Sequence, residues 1–322
     1  MKKIILGLLC ISPLALPFLF NGSEDFPSWA YPVNPPPRPG PQAAKPKDDG
    51  KQFHVPESDV ALTRAEIEGH DTAPDWHPND HPAMPDIVKN GRPNVRACAY
   101  CHQPNGMGRP ESASLAGLTE AYIKHQVENF KMAARKSSAP DRALQKQMID
   151  IAMKVSAADL DSAAAYFASL KLAKFVKVIE ADTVPKTFVT DGMLAKDPEG
   201  GTEPIGKRIL EVPEDLERAQ LRDSHTTYVA YVPKGSLEKG KILVTTGGGT
   251  TTACATCHGP ELHGAGDVPH IAGRSPSYII RQLYDIKHNA RTGSVTFMQQ
   301  VVSGLDQDDM IAIAAYVASR EP

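Results

Sequence analysis

The sequence predicts a mainly α-helical protein in which two copies of one helical unit follow each other along the chain. The phrase CAYCH at residues 98–102 returns as CATCH at residues 254–258, and matching residues continue downstream of both phrases. Each copy ends in a stretch of the form AAYxAS, with apolar residues at helical spacing. Self-similarity over this length indicates a duplicated structural unit, each copy closed around its own centre.

One alignment register relates the two copies over most of their length. Pairing Cys98 with Cys254 sets an offset of 156 residues. The same offset pairs residues of identical type: Ala116 with Ala272, Gly117 with Gly273, Tyr122 with Tyr278, Ile123 with Ile279, Gln126 with Gln282, and Arg135 with Arg291. In the last helix the offset falls to 150 residues, where Tyr166 pairs with Tyr316. The first copy therefore carries six extra residues before its final helix.

Helix start signals mark the same elements in both copies. The long helices are predicted to begin at four capping residues: Thr119 and Ser275 for the middle helix, and Ser156 and Asp306 for the terminal helix. Shorter helices are expected before the repeated phrases, at residues 84–89 and 236–244. Small residues dominate the terminal helices, which favours close helix crossings.

The repeated phrase is typical of covalent haem attachment. Its two cysteines stand at i and i+3 of a helical turn, so both thiols face one side and can bond the two vinyl groups of one haem. The next residue, His102 or His258, then lies where a ring nitrogen can bind the iron. A zinc site would need further Cys or His at ligand spacing, and a redox dithiol would not need the following His; both stay alternatives. The predicted attachment residues are Cys98, Cys101, Cys254 and Cys257.

A methionine occupies matching positions in the two copies and is predicted to bind the second face of each iron. Met148 and Met298 align at the offset of 150 residues and stand just before the terminal helices. A thioether is a soft, neutral ligand that leaves no open position for a substrate. The alternatives are that both are core methionines, that Met153 replaces Met148, or that His288 binds the second iron.

Each copy thus reads CxxCH, an LAG or IAG turn, a Tyr-containing helix, a Met and a final AAYxAS helix, over residues 84–171 and 236–320. In this order the motifs resemble those of the periplasmic dihaem cytochromes c, the tandem class I cytochromes c. The resemblance implies two helical haem domains with two covalently bound haem c groups that carry single electrons between redox proteins. One departure concerns the carbonyl that holds the proximal His ring: the family's Pro is Pro269 in the second copy, whereas Ala113 stands in the first.

The predicted organisation has five parts. They are a signal peptide or N-terminal anchor (1–22), a Pro-rich extended arm (23–83), a first cytochrome c-type domain (84–171), an irregular connector (172–235) and a second such domain (236–322). Two lysines precede an apolar run over residues 4–20, so the chain is expected in the periplasm or otherwise exported, and anchored to the membrane if the run is not cleaved.

The segments outside the repeats allow several interpretations. The arm is either a spacer or a strap that Trp29 and Tyr31 hold on a domain. The stretch HDTAPDWHPNDH, residues 70–81, gathers three His and three Asp, which raises a metal site as an alternative to an ordinary polar loop. Within the connector, TTYVAYV is typical of a short strand.

The composition narrows the function further. A net charge of -3 argues against nucleic-acid binding, which needs a clear excess of basic residues. Only 20 Phe, Trp and Tyr serve two cores, which favours a macrocycle as part of each core. We expect an electron carrier rather than an enzyme, with redox proteins as partners, among them a membrane-bound oxidase or dehydrogenase, and no small-molecule substrate. The alternatives are a dihaem peroxidase-like enzyme with one open iron, and the cytochrome subunit of a periplasmic dehydrogenase.

Overall fold

The computed structural model describes residues 26–34, 49–293 and 295–322. The predicted signal peptide, residues 1–22, lies outside the described residues, as do the prolines between residues 35 and 48. Within the described ranges, no helix combines the length and the apolar character that a membrane crossing requires.

Helices and short strands alternate along the described ranges. The helices, numbered in chain order, are α1 (Arg64–Glu68), α2 (Asp86–Lys89), α3 (Cys98–His102), α4 (Glu120–Lys131), α5 (Ala143–Lys154), α6 (Ala157–Ser169), α7 (Leu216–Gln220), α8 (Ser236–Thr246), α9 (Ala255–His258), α10 (Pro276–Lys287), α11 (Thr296–Ser303) and α12 (Gln307–Ser319). The strands are β1 (Gln52–Phe53), β2 (Leu62–Thr63), β3 (Val176–Glu180), β4 (Thr183–Pro185), β5 (Thr187–Thr190), β6 (Met193–Lys196), β7 (Thr202–Pro204), β8 (Leu210–Pro213) and β9 (Tyr228–Val232). A short 3₁₀ turn at Ser28–Ala30 precedes them.

The two copies of the repeat form two lobes with the same helix order. Helices α2 to α6 make the first lobe, and α8 to α12 make the second. The short helices predicted before the two phrases are confirmed as α2 and α8, and the strand predicted at TTYVAYV is confirmed as β9. The main hydrophobic core runs through both lobes and into the connector.

The predicted caps begin the long helices in both lobes. Each cap side chain accepts a hydrogen bond from the backbone N–H three residues on, which satisfies one of the free donors of the first turn. The pairs are Thr119 with Tyr122, Ser275 with Tyr278, Ser156 with Asp159, and Asp306 with Asp309. The helix starts are therefore local properties of the sequence.

Helices α8 and α12 pack closely where both carry small residues. A Cβ atom added to Gly240 would lie 2.0 Å from the carbonyl oxygen of Ala312, so a larger residue cannot enter this contact. Ala314 and Ala315, on the same helix as Ala312, are fully buried. The small residues of the terminal helix thus set the helix spacing in the second lobe.

The structure corrects the expectation of an irregular connector. Strands β3, β9 and β8 form one sheet in that order, with β3 parallel and β8 antiparallel to β9. Two antiparallel pairs, β4 with β7 and β5 with β6, lie between them in sequence. Strands β3 and β9 lie at the two ends of the connector. Their pairing therefore depends on long-range contacts, which the sequence of either strand alone does not predict.

The predicted extended arm, residues 23–83, is also corrected over its described residues 49–83. This segment folds into the antiparallel pair β1 and β2, followed by α1 with a complete capping box. A second small core holds it together and is made by Val55, Ile67, Trp76 and, from the connector, Leu221. The Trp76 indole N–H donates a hydrogen bond to the carbonyl oxygen of Leu221 at 2.7 Å. Residues 49–83 therefore form a folded unit although they contain four prolines.

Residues 26–34 lie as a strap on helix α10 of the second lobe. The Tyr31 hydroxyl donates a hydrogen bond to Asp285 at 2.8 Å, and the Arg281 guanidinium donates to the Ala30 carbonyl at 3.0 Å. The Phe26 ring stacks on Tyr31 at a centroid distance of 5.1 Å. For these residues, the strap is the interpretation that the contacts support.

Replacing Trp76 by Ala should destabilise the protein strongly, because it removes the centre of the second core and the bond to Leu221. We expect the free energy of unfolding of the haem-loaded protein to fall by about 3–5 kcal/mol in a denaturant titration. Phe188→Ala, at a partly exposed position of β5, should cost less than about 1 kcal/mol. Equal losses in the two variants would show that residues 49–83 do not form a cooperative part of the fold.

Candidate haem centres

The first phrase folds into the short helix that its spacing predicts. Cys98 and Cys101 are one turn apart on α3 and form no disulfide with each other. The ring of His102 donates a hydrogen bond from Nδ1 to the carbonyl oxygen of Ala113 at 2.8 Å. This bond fixes the ring orientation and leaves Nε2 as the nitrogen that can bind a metal. Helix α3 ends at Gln103, whose φ of 63° turns the chain away.

The second phrase repeats this geometry. Cys254 caps α9, on which Cys257 and His258 follow. His258 donates from Nδ1 to the Pro269 carbonyl oxygen, again at 2.8 Å. The backbone carbonyls of Ala113 and Pro269 therefore accept the same hydrogen bond, and the absence of a proline in the first copy does not change it.

Burial keeps the ring nitrogens in the state that binds metal. It lowers the pKa of both His102 and His258 below the ordinary value, which favours the neutral imidazole. Burial also raises the pKa of the Cys98 thiol to about 12 and that of the Cys254 thiol to about 11. Such thiols form thiolates poorly, which disfavours a redox dithiol.

A large cleft in the first lobe is lined by the predicted haem residues of that lobe. It holds about 1130 Å³ of space between protein atoms, part of it open to solvent. Cys98, Cys101, His102 and Met148 all line it. Further walls are apolar and come from α4, α5 and the turn before α4: Leu115, Leu118, Ile123, Val127, Phe130 and Ile151. An apolar cleft with thiols, an imidazole and a thioether suits a macrocycle with a central iron.

The same cleft also offers buried positive charge for acidic groups. Arg142 and Arg135 line it, and both are buried. The Nε atom of Arg142 is buried without a hydrogen-bond partner among the described residues. Burial lowers the pKa of Arg142 to about 9, which marks a guanidinium without a sufficient counter-charge. Glu111, the carboxylate among the lining residues, is engaged by Arg109 at 3.1 Å. The residues present therefore fit a haem, whose two propionates would supply the missing anions.

In the second lobe, the predicted ligand methionine lies on α11. Met298 is half-buried and packs against the main core, as does Cys254. His288, the alternative ligand, follows the last residue of α10 and stacks its ring on Tyr284 at 4.1 Å. In the first lobe, the competitor Met153 is 58% exposed, which favours Met148 over it.

A symmetric cluster of Arg, Gln and Tyr side chains joins the two lobes. The sequence alignment paired these residues, but their role in the interface was not predicted. Arg135 donates to Gln126 of its own lobe at 2.9 Å and to the Tyr278 hydroxyl of the other lobe at 2.8 Å. The second lobe mirrors these contacts: Arg291 donates to Gln282 at 2.9 Å and to the Tyr122 hydroxyl at 3.0 Å. Because Tyr278 and Gln282 also line the first cleft, the lobe interface and the first haem centre share a wall.

Backbone bonds close the same interface. Arg135 and Arg291 face each other as an isolated antiparallel bridge. The Lys136 N–H donates to the Ala290 carbonyl at 2.7 Å, and the Thr292 N–H donates to the Ala134 carbonyl at 2.8 Å. The identity of residues across the repeat could have revealed this cluster, since a two-fold interface places equivalent residues together.

The stretch 70–81 contributes His77 to a compact group with Asp223 and His225. One ligand atom from each of the three lies within 4.8 Å of the others. The two imidazole rings, however, are stacked at 3.6 Å and tilted by only 7°, so their in-plane lone pairs do not converge on one ion. Asp223 also binds the Arg218 guanidinium at 2.6 Å. These contacts favour a structural network between the N-terminal segment and the connector.

Two helical lobes, each with a CxxCH helix, an oriented imidazole and a methionine, define a dihaem c-type cytochrome. The family model for cytochrome c matches residues 88–171 and 237–321, more than half of the chain. The chain therefore belongs to the cytochrome c family. It carries two covalently bound haem c groups and serves in electron transfer.

Known relatives share most of the chain's length. Cytochrome c4 of Azotobacter vinelandii is 27% identical, over 70% of this chain and 86% of the relative. The thiosulfate dehydrogenase electron acceptor of Thiomonas intermedia is 26% identical, over 71% of this chain and 80% of the relative. A solved thiosulfate dehydrogenase from Marichromatium purpuratum matches with a TM-score of 0.49 and 25% identity, over 73% of this chain but only 39% of the other.

Replacing Arg135 or Arg291 by Gln should loosen the two lobes from each other. Each change removes a buried cation, leaves one Tyr hydroxyl without its Arg donor, and leaves each Gln carbonyl of the cluster with one Arg donor instead of two. The loss should be about 2–4 kcal/mol in a denaturant titration of the holoprotein. Arg64→Gln removes an exposed ion pair with Glu68 and should cost less than about 1 kcal/mol. A loss at Arg135 no larger than that at Arg64 would contradict the structural role of the cluster.

Proposed function

We propose that both irons are ligated by His and Met and that the chain carries single electrons between periplasmic redox proteins without acting on a substrate of its own. The first haem would bond Cys98 and Cys101, with His102 and Met148 as axial ligands. The second would bond Cys254 and Cys257, with His258 and Met298. The observation that carries this proposal is the cleft that Cys98, Cys101, His102 and Met148 line together.

The residues of the chain account for the ligation of the irons. When bound, each haem c supplies an iron that alternates between the ferric and ferrous states. The chain's own part is to hold each imidazole by its Nδ1 hydrogen bond, to present Nε2, and to offer a thioether from α5 or α11. The apolar walls around the first centre lower the local polarity, which favours the less charged ferrous state.

A peroxidase-like enzyme would need different surroundings for one iron. Such an iron requires an open face with polar groups above it. Met148 lines the first cleft, and Met298 is half-buried against the core of the second lobe. Two methionines at equivalent positions favour two closed irons, and hence a carrier.

The names of the relatives favour a dehydrogenase as the electron donor. One relative is the electron acceptor of a thiosulfate dehydrogenase. Another is the cytochrome subunit of the sulfide dehydrogenase of Chlorobaculum tepidum; this subunit is 36% identical over 24% of this chain. A periplasmic dehydrogenase that oxidises an inorganic sulfur compound is therefore the donor we propose. Export to the periplasm is supported by the two lysines and the apolar run at the N-terminus.

Replacing Met148 or Met298 by Ala should open one iron and leave the other unchanged. In the ferric spectrum of the purified holoprotein, each single variant should lose about half of the red sulfur-to-iron charge-transfer band and gain a high-spin haem that binds cyanide rapidly. The double variant should lose the whole band.

Met153→Ala is the matched control, since Met153 is an exposed methionine on the same helix as Met148. Its spectrum should equal that of the unchanged protein. If the Met148 variant kept the full band, or if the unchanged protein already held a high-spin haem, the ligand assignment and the carrier function would both be wrong.

A further inference from the structure

The two haem-attachment phrases differ in how much of their outer surface is covered. Tyr100, inside the first phrase, is 5% exposed, whereas its counterpart in the second phrase, Thr256, is exposed. Cys101 is half-buried, and its counterpart Cys257 is exposed. A haem bonded to the exposed Cys257 would have its attachment edge nearer to solvent than one bonded to the half-buried Cys101.

Two segments outside the repeats cover the first phrase. From residues 49–83, the His70 ring stacks on Tyr100 at a centroid distance of 4.7 Å. From the connector, the Arg222 guanidinium lies 3.8 Å from the centre of the same ring and donates to the Tyr100 carbonyl at 2.9 Å. A buried aromatic ring held by a second ring and a cation is a fixed contact rather than a loose flap.

The cover is anchored on both sides of Tyr100. Asn105, just after the first phrase, donates to the Ser224 carbonyl at 2.8 Å. Trp76 ties residues 49–83 to the connector through Leu221. Both covering segments lie outside the regions that match the cytochrome c family, 88–171 and 237–321, so they are additions that shield one of two otherwise equivalent haem edges.

The face around the second phrase is free of ionic side chains over two long segments. Residues 242–260 and 292–305 contain no Asp, Glu, Lys or Arg. The segments touch each other, since the Thr251 hydroxyl donates to the Val301 carbonyl at 2.6 Å. Two large apolar side chains project from them: Ile242 is 47% exposed and Phe297 is 82% exposed. Exposed apolar side chains of this size on an uncharged surface are typical of a contact surface.

The equivalent segments of the first lobe are charged. Arg92 and Arg96 stand before the first phrase. Helix α5, the counterpart of α11, carries Lys146, Asp150 and Lys154. The uncharged surface is therefore a property of the second lobe and not of the duplicated unit.

We propose that the uncharged face of the second lobe, formed by residues 242–260, 292–293 and 295–305, is the docking surface for a redox protein whose own contact face is apolar and uncharged. The first haem exchanges electrons with that partner by way of the second, across the interface at which second-lobe residues line the first cleft. A partner with an uncharged face loses little by desolvation there, whereas a charged one would find no opposite charge within these two segments. This inference rests on the proposed function.

Charge introduced at Thr256 tests the docking surface. The probe is a small blue-copper protein with an apolar contact face, mixed with the reduced dihaem holoprotein in stopped flow. Thr256→Lys and Thr256→Glu should each lower the bimolecular rate constant by about threefold or more, because either charge must be desolvated in the contact. Ser162→Lys and Ser162→Glu, at an exposed position of α6 in the first lobe, should leave it unchanged. With the unchanged protein, the rate constant should vary by less than about twofold between low and high salt.

A second measurement needs no electron transfer. A soluble gadolinium chelate should broaden the haem methyl NMR signals of the second haem far more than those of the first. Arg222→Ala should raise the broadening at the first haem, because it removes part of the cover on Tyr100.

Each outcome decides the proposal. Equal effects of the Thr256 and Ser162 substitutions, opposite effects of Lys and Glu at Thr256, or equal broadening of both haems in the unchanged protein would overturn the docking assignment. If any of these contradicting results appeared while the two haems still cycled reversibly in a redox titration, only the docking surface would be wrong and the carrier function would be retained. If they did not cycle reversibly, the proposed function itself would fall.

Discussion

The geometry of each centre depends on one hydrogen bond, from the Nδ1 of the histidine after the second cysteine to a backbone carbonyl eleven residues further on. A histidine side chain without this bond would rotate, and either ring nitrogen would face the cofactor. With it, both cysteine sulfurs and Nε2 are held by one turn of helix and one loop. Because the acceptor is a backbone oxygen, the bond does not require a particular side chain at the acceptor position, and the two lobes keep equal distances at Ala113 and Pro269.

The second constraint is the buried charge between the lobes. Arg135 and Arg291 lie face to face, and neutral Gln and Tyr groups accept most of their hydrogen bonds. Two buried cations held by neutral partners are costly unless anions come near, and the Nε of Arg291 and that of Arg142 are both buried without partners among the described residues. Haem propionates would meet this need. The interface between the lobes and the loading of the cofactor are then linked, so that the protein without haem should be poorly held together.

The segments outside the two lobes give unequal surroundings to two similar sites. They add a small core around Trp76, a three-stranded sheet and a strap on α10. The cover over Tyr100 leaves the second phrase as the more accessible one. A duplicated carrier with two identical edges could meet a partner in two ways. If one edge is covered, as the docking proposal holds, the electron has a single external route while both haems still store charge.

The sequence by itself determined the local features: the two CxxCH turns, the capped helices, the pairing of Met148 with Met298 and the symmetric identity of Arg135 with Arg291. These follow from spacings of three or four residues and from comparing one copy with the other, so no long-range contact is needed to read them. Only the tertiary structure decided that β3 pairs with β9, that Trp76 builds a core with Leu221, and that His70 and Arg222 cover Tyr100. These contacts join residues up to 145 positions apart. Their formation depends on how whole segments pack, which neither periodicity nor local propensity encodes.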